Sequence, residues 1–190
     1  DIKTLYKART DKEALEKAET FFAMEYKVDL SIYDYPKPII ACLDGIVMGG
    51  GVGLTYGASY RIVTERTKWS MPETNIGFFP DVGAAYFLNK APGYIGRYLA
   101  LTASLIRAAD VLYADAADLY MDSSKLSEFI NRVEQIEWHG QDVKAALTRL
   151  VKVFSSQPSE TGILATTHNK IDKHFSKENV EEIIKSLEKD

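Results

Sequence analysis

A single cysteine, Cys42, stands among 190 residues, so no disulfide can form within the chain. No apolar run approaches the roughly 20 residues that a membrane-crossing helix requires. Positive charge is also scarce. Against 27 Asp and Glu there are 23 Lys and Arg, for a formal charge of −4. The basic cluster around Arg61, Arg66 and Lys68 is interrupted by Glu65. A nucleic-acid binder would show a stronger basic footprint, so the cluster reads as solvated surface or the rim of an anionic-ligand site. The three histidines, His139, His168 and His174, have neither a helix-metal spacing nor a cysteine pair beside them, and no metal site is expected. A G-x-S-x-G elbow is missing, which argues against a serine nucleophile. The glycine-rich segment near residue 50 lacks the GK[ST] ending of a phosphate loop. It also fails the G-x-G-x-x-G spacing, because Leu54 and Tyr56 stand where glycine would be needed.

What remains is a soluble globular composition, 46% hydrophobic and 26% charged, in a chain long enough for one domain with a sizeable core. Thr10 and Glu13 form a capping box that opens a predicted helix over 10–34, with Leu15, Ala18, Phe22 and Ile32 at helical spacing. Glu25 falls in that stripe, so its carboxylate faces either a partly buried ion pair or a cleft. Pro36 and Pro38 end the helix, and 39–43 then reads as a strand whose apolar residues suggest a buried Cys42 thiol. The Asp44-Gly45 turn leads to 46–48, a glycine loop, a helix over 52–56 and a strand over 60–64, an α/β order. Further helices are predicted at 82–90, with Asp81 as a candidate N-cap, and at 95–102, 108–113, 125–135, 142–154 and 180–187.

The chemistry concentrates in Met48-Gly49-Gly50-Gly51-Val52-Gly53-Leu54, followed by Pro72-Glu73 and by Phe79-Pro80-Asp81-Val82-Gly83. Glycines admit unusual dihedrals and close approach of a ligand to main-chain N–H groups, and an apolar run after them places those groups at a helix start, where an oxyanion can sit. A tight turn needed only for packing is the other reading of the triplet. Trp69, Met71, Ile76 and Phe78 surround Glu73 in sequence and are expected to desolvate it and raise its pKa.

The stretches KPIIACLDGIVMGGGVGLTYGASYRI and WSMPETNIGFFPDVGAAYFL, with NVEEIIKSLEKD near the end, resemble the crotonase, or enoyl-CoA hydratase/isomerase, superfamily, and within it the 3-hydroxyisobutyryl-CoA hydrolases. The resemblance implies an α/β fold, a spiral of ββα units incomplete at its N-terminus and continued by a mainly helical region, divided as 1–125 and 126–190. It implies an acyl-CoA thioester substrate of valine catabolism, no cofactor beyond the CoA carried by the substrate, and no nucleic-acid or membrane partner. A homo-oligomer is compatible with it. By the same resemblance Gly50 is one oxyanion donor, Glu73 and Asp81 are catalytic, and Glu25, Gly50, Glu73 and Asp81 bind substrate. The second donor would come from a loop just before Asp1-Ile2-Lys3, so the chain reads as a central fragment. Hydratases of the superfamily carry a glutamate where this chain has Gly53, which favours hydrolysis over hydration. Enoyl hydration or isomerisation, and a noncatalytic assembly subunit, are the alternatives. The compartment implied is the cytoplasm for a bacterial protein, with the mitochondrial matrix open to a eukaryotic one.

Overall fold

The computed structural model describes residues 5–190, and its backbone passes back and forth between two small parallel sheets. Asp1-Ile2-Lys3, next to which the second oxyanion donor is expected, lies outside the described residues. Helix α1 (Lys12–Tyr33) comes first, then β1 (Ile40–Leu43), β2 (Ile46–Met48), α2 (Gly50–Tyr56), β3 (Tyr60–Val63) and β4 (Lys68–Ser70). The first sheet pairs β1 with β3, Ile40 opposite Tyr60 through Leu43 opposite Val63; the second pairs β2 with β4, Ile46 opposite Lys68 through Met48 opposite Ser70. A two-residue strand, β5 (Leu119–Tyr120), extends the first sheet beside Ile62 and Val63. Two strands and then a helix, repeated, give the expected ββα spiral. Because every pairing is parallel, each return to a sheet needs a crossover, and α2 is the first of them.

After β4 come a 3-10 turn (Glu73–Ile76), α3 (Ala84–Phe87), α4 (Ile95–Thr102), α5 (Ala108–Tyr113), α6 (Leu126–Glu134), α7 (Val143–Phe154), α8 (Ile163–Phe175) and α9 (Val180–Leu187). Trp69, Met71, Val63, Ile95 and Leu99 are fully buried at the centre of one cluster, and Leu164, Ile171, Phe175 and Ile183 from the last two helices join it. Ile62, Met121, Phe129 and Phe154 form a second cluster on the other side of β3. Side chains alternate along a strand, so β3 supplies both clusters through neighbouring residues.

Several local expectations are corrected. The cap of α1 is Asp11 rather than Thr10, its carboxylate accepting from the Glu13 and Ala14 amides at 2.9 and 3.3 Å. Leu15 is exposed, and Ala14 takes its place on the inward stripe. Cys42 is exposed because it points away from Leu43, which is buried. The helix predicted at 82–90 is shorter, since Val82 and Gly83 have positive φ of 44° and 85° and α3 starts only at Ala84. The basic cluster divides: Arg61 is buried and holds Asp118 through two guanidinium contacts of 3.0 and 2.6 Å, contrary to the solvated reading, whereas Arg66, bound to Asp44, and Lys68 are exposed. Sequence reading missed β4, β5 and α8. The strands have three and two residues, and α8 carries Thr166-Thr167-His168-Asn169, a run of weak helix formers held in place by burial of Leu164, Ile171 and Phe175.

Helix α4 passes so close to the turn before it that a Cβ on Gly96 would lie 1.8 Å from the Leu88 carbonyl oxygen. Backbone cannot yield as a side chain can, so Gly96→Ala should cost about 3 kcal/mol, a fall of roughly 6–12 °C in Tm. A thermal melt that matches the parent's would contradict this packing.

Candidate active site

Helix α2 starts at Gly49, whose φ of 51° and ψ of −121° suit only glycine. The Gly49 N–H donates to the Ser70 carbonyl at 3.2 Å and fixes the turn to the end of β4, while the Gly49 carbonyl accepts from Val52 and Gly53 at 2.8 and 3.3 Å. Gly50 and Gly51, at the first two helical positions, have no backbone acceptor for their N–H groups among the described residues. Those are the donors that an α-helix leaves open by construction.

Against this turn lie two carboxylates from different parts of the chain. A Cβ on Gly49 would stand 2.7 Å from Glu73 Oε1, and a Cβ on Gly50 would stand 2.6 Å from Glu25 Oε1. The contact with Glu25 belongs to a wider pattern: a Cβ on Gly53 would meet Asp29 Oδ2 at 3.0 Å and Val82 Cβ at 2.5 Å, and one on Gly57 would meet the Tyr33 backbone at 2.8 Å. Glu25, Asp29 and Tyr33 are four residues apart on α1, and Gly50 and Gly53 face them from α2, with Gly57 at its C-cap. The same faces of the two helices therefore meet at three successive turns.

Glu73 is buried at the first position of its 3-10 turn, 7% exposed, and its Oε2 has no hydrogen-bond partner among the described residues. Burial raises its pKa above the usual carboxylate range; its own backbone amide opposes the shift and Asp81 adds to it. Of the four apolar residues around it in sequence, Trp69 and Met71 are fully buried, whereas Ile76 and Phe78 are exposed. Asp81 does not cap α3, whose N-cap is Gly83. Its Oδ2 accepts a 2.7 Å hydrogen bond from the Tyr26 hydroxyl on α1. Burial and then Asp81 raise the pKa of Glu25 and of Asp29, with Asp29 a further cause for Glu25. The negative field of Asp81 therefore reaches all three other acids.

The four residues expected at the site thus gather around one end of α2. Sequence reasoning missed two others, Tyr26 and Asp29. Both carboxylate oxygens of Asp29 are shielded from solvent and lack a hydrogen-bond partner among the described residues, although the residue as a whole is half-buried. Asp29 lines a cavity of about 350 Å³ with Gly53, Tyr56, Val82, Tyr86 and Phe87. Gly50 and Glu73 do not line this cavity, which lies one helical turn further along α2. Val82, a β-branched residue in left-handed conformation, and Tyr26 separate it from a shallower hollow containing Asp81 and Phe79. Strain of that kind persists only where its surroundings enforce it.

The enoyl-CoA hydratase/isomerase family matches the chain over residues 1–190. The small ribosomal subunit protein mS47 of Neurospora crassa is 37% identical across 100% of this chain and 39% of its own length. The mitochondrial 3-hydroxyisobutyryl-CoA hydrolase of Mus musculus is 36% identical across 100% of this chain and 49% of its own. A crystal structure of a carnitinyl-CoA dehydratase from Mycobacterium thermoresistibile shares 34% identity and superposes with a TM-score of 0.86, covering 100% of this chain and 52% of that one. The chain spans about half the length, or less, of these relatives.

The raised pKa of Glu73 has a direction in stability. Below its ordinary value of 4.5 the group is protonated whether the chain is folded or not and contributes nothing. As pH rises, the unfolded chain releases the proton while the folded protein retains it, so stability declines through the raised folded value. Glu73→Gln removes that cost. The variant should melt a few degrees above the parent at about pH 8 and level with it at about pH 4. Parallel melting curves across that range would show that Glu73 ionises as freely as an exposed glutamate.

Proposed function

The chain belongs to the enoyl-CoA hydratase/isomerase family, and from that premise we propose that its site cleaves an acyl-CoA thioester, with 3-hydroxyisobutyryl-CoA as the substrate. The observation that carries this reading is the buried Glu73 carboxylate packed against Gly49, next to the open N–H groups of Gly50 and Gly51. The similarity to 3-hydroxyisobutyryl-CoA hydrolases supports the choice of ester.

Charge develops on the thioester oxygen as a nucleophile adds to its carbonyl carbon, and in this reading the open Gly50 N–H receives it. Glu73 acts in one of two ways. As a base it takes a proton from water, the water oxygen adds to the carbonyl carbon, the C–S bond breaks, and the departing thiolate recovers the proton. As a nucleophile its oxygen forms an anhydride with release of CoA, and water then opens the anhydride. Desolvation suits either role, because an anion without partners is more basic and more reactive than a solvated one. Asp81 orients the substrate hydroxyl or assists proton transfer, and Glu25, against Gly50, helps to hold that hydroxyl. The reaction needs no cofactor beyond the CoA already in the substrate. None of the helices among the described residues is long and apolar enough to cross a membrane. The mitochondrial relatives favour the matrix as the compartment, and assembly into a homo-oligomer fits the reading.

A second reading is favoured by one observation, the 37% identity to the small ribosomal subunit protein mS47. There the same fold would serve assembly rather than turnover. Free-thiol release from 3-hydroxyisobutyryl-CoA by the full-length protein, with crotonyl-CoA as a control for hydration, separates the readings: thiol release supports hydrolysis, loss of enoyl absorbance supports hydration, and binding without either supports assembly.

Glu73→Gln should lower thioester cleavage by on the order of 100-fold or more, because shape is kept and the basic oxygen lost. Unchanged turnover would remove Glu73 from the mechanism. Asp81→Asn should harm hydroxylated esters more than their deoxy analogues, by about tenfold or more in kcat/KM. Equal losses would make Asp81 a support for Tyr26 and α1 alone.

A further inference from the structure

Asp81 belongs to a stretch, 79–83, that has no regular secondary structure between the 3-10 turn and α3. The amides of Phe79, Asp81, Val82 and Gly83 have no backbone acceptor among the described residues, and Pro80 has no N–H to give. Burial of Val82 anchors the stretch, but an apolar contact does not set the rotation of the carboxylate beside it. One directional bond does. The Tyr26 hydroxyl donates to Asp81 Oδ2 at 2.7 Å, the only side-chain hydrogen bond made to residues 79–83 among the described residues. Asp81 Oδ1 has no such partner and, unlike the Asp29 oxygens and Glu73 Oε2, keeps accessible surface. Glu25, Asp29 and Glu73 all feel the charge of Asp81, so without a tether the like charges would turn its carboxylate away from them.

We infer that Tyr26 is a positioning residue, whose hydroxyl holds one oxygen of Asp81 and thereby keeps the other presented to the hydroxyl of the acyl group. This rests on the thioester reading above and on the part given there to Asp81, and it adds the residue that fits Asp81 for that part. A carboxylate held at one oxygen keeps a fixed plane, so its second oxygen accepts along a defined direction. Tyr26 is well placed to provide the hold. It follows Glu25 on α1, so the helix that lays Glu25 against Gly50 carries the donor to Asp81 on the next residue. Its ring lies 6.0 Å from that of Phe22, one turn earlier, and Phe22 lies 6.5 Å from Phe78, which immediately precedes the stretch. The hydroxyl is thus delivered from a row of packed aromatic rings. Burial, and then the bond to Asp81, hold the Tyr26 pKa above the ordinary phenol value, so the hydroxyl stays a donor throughout the neutral range.

The test compares kcat/KM of the full-length protein on 3-hydroxyisobutyryl-CoA and isobutyryl-CoA with that of Tyr26→Phe, Asp81→Ala and the double variant, with thermal melts to verify folding. Tyr26→Phe keeps the ring and deletes one oxygen, and it should lower the ratio of hydroxylated to deoxy kcat/KM by about fivefold or more. In the Asp81→Ala background, where no acceptor remains, the same substitution should change that ratio by less than about twofold. A merely structural tyrosine would harm both esters alike, or would act equally with and without Asp81, and either result in a folded variant overturns the inference. If Tyr26→Phe does not fold, Tyr26→Met, read by the same ratio, decides. Discrimination lost in Asp81→Ala but kept in Tyr26→Phe overturns the inference and leaves the part of Asp81 intact, whereas an unchanged ratio in Asp81→Ala overturns both. If the parent cleaves neither ester, the thioester reading fails on its own, and calorimetric binding of the two CoA esters carries the same comparison. A preference for the hydroxylated ester that Tyr26→Phe reduces only while Asp81 is present upholds the role, and equal binding by the parent overturns it.

Discussion

The contact between α1 and α2, made through three glycines, is the constraint that organises the rest of the site. Glu25, Asp29 and Tyr33 approach Gly50, Gly53 and Gly57 more closely than any side chain on α2 would permit. At ordinary interaxial distances of about 8–10 Å, side chains fill the seam between helices. Here the seam admits two carboxylates instead. The glycines thus perform two tasks at once. They leave the amides at the head of α2 open, and they allow acids from a helix distant in sequence to lie beside those amides.

That arrangement is costly by itself. Three acids with raised pKa values share a region influenced by Asp81, and the oxygens of Asp29 and one oxygen of Glu73 are buried without hydrogen-bond partners among the described residues. Val82, between Asp81 and Gly83, adds backbone strain at the same place. The first core cluster reaches this region through Val52, Val82, Trp69 and Met71 and supplies ordinary packing there, and the Arg61–Asp118 pair is an ordinary compensated charge. Local departures from stable design therefore collect around the end of α2, as expected where binding or catalysis sets the requirements.

Much of this was legible in the sequence where the physics is local. Residues 95–102, 108–113 and 180–187 were read to the residue, because apolar spacing and flanking breakers act within a few positions. Glu25 was placed inward by the same arithmetic. Asp29 satisfies it equally well: Ala18, Phe22, Glu25, Asp29 and Ile32 alternate by four and three residues, and none of the five is exposed. The stripe thus carries a second acid inward, one helical turn beyond the first. By contrast, Tyr26 and Asp81 are 55 residues apart and nothing in either neighbourhood announces their hydrogen bond. Cys42 and Arg61 were misread because burial of a strand face and pairing with Asp118 depend on which elements pack there, which apolar neighbours and charge runs do not specify.

The crowding of Gly53 against Val82 bears on how chemistry could change on this scaffold. The resemblance read from the sequence implies a glutamate at that position in hydratases, yet here the first carbon of any side chain would fall 2.5 Å from Val82 Cβ and 3.0 Å from an Asp29 oxygen. A glutamate could enter only if the segment holding Val82 relaxed out of its left-handed conformation, and Asp81 is the next residue in that segment. Conversion from one reaction type to the other is thus not a single step: the intermediate sequence would collide before it gained a second acid. Position 53, position 82 and position 29 would have to change together, which makes them a coupled set through which the fold resists drifting between activities.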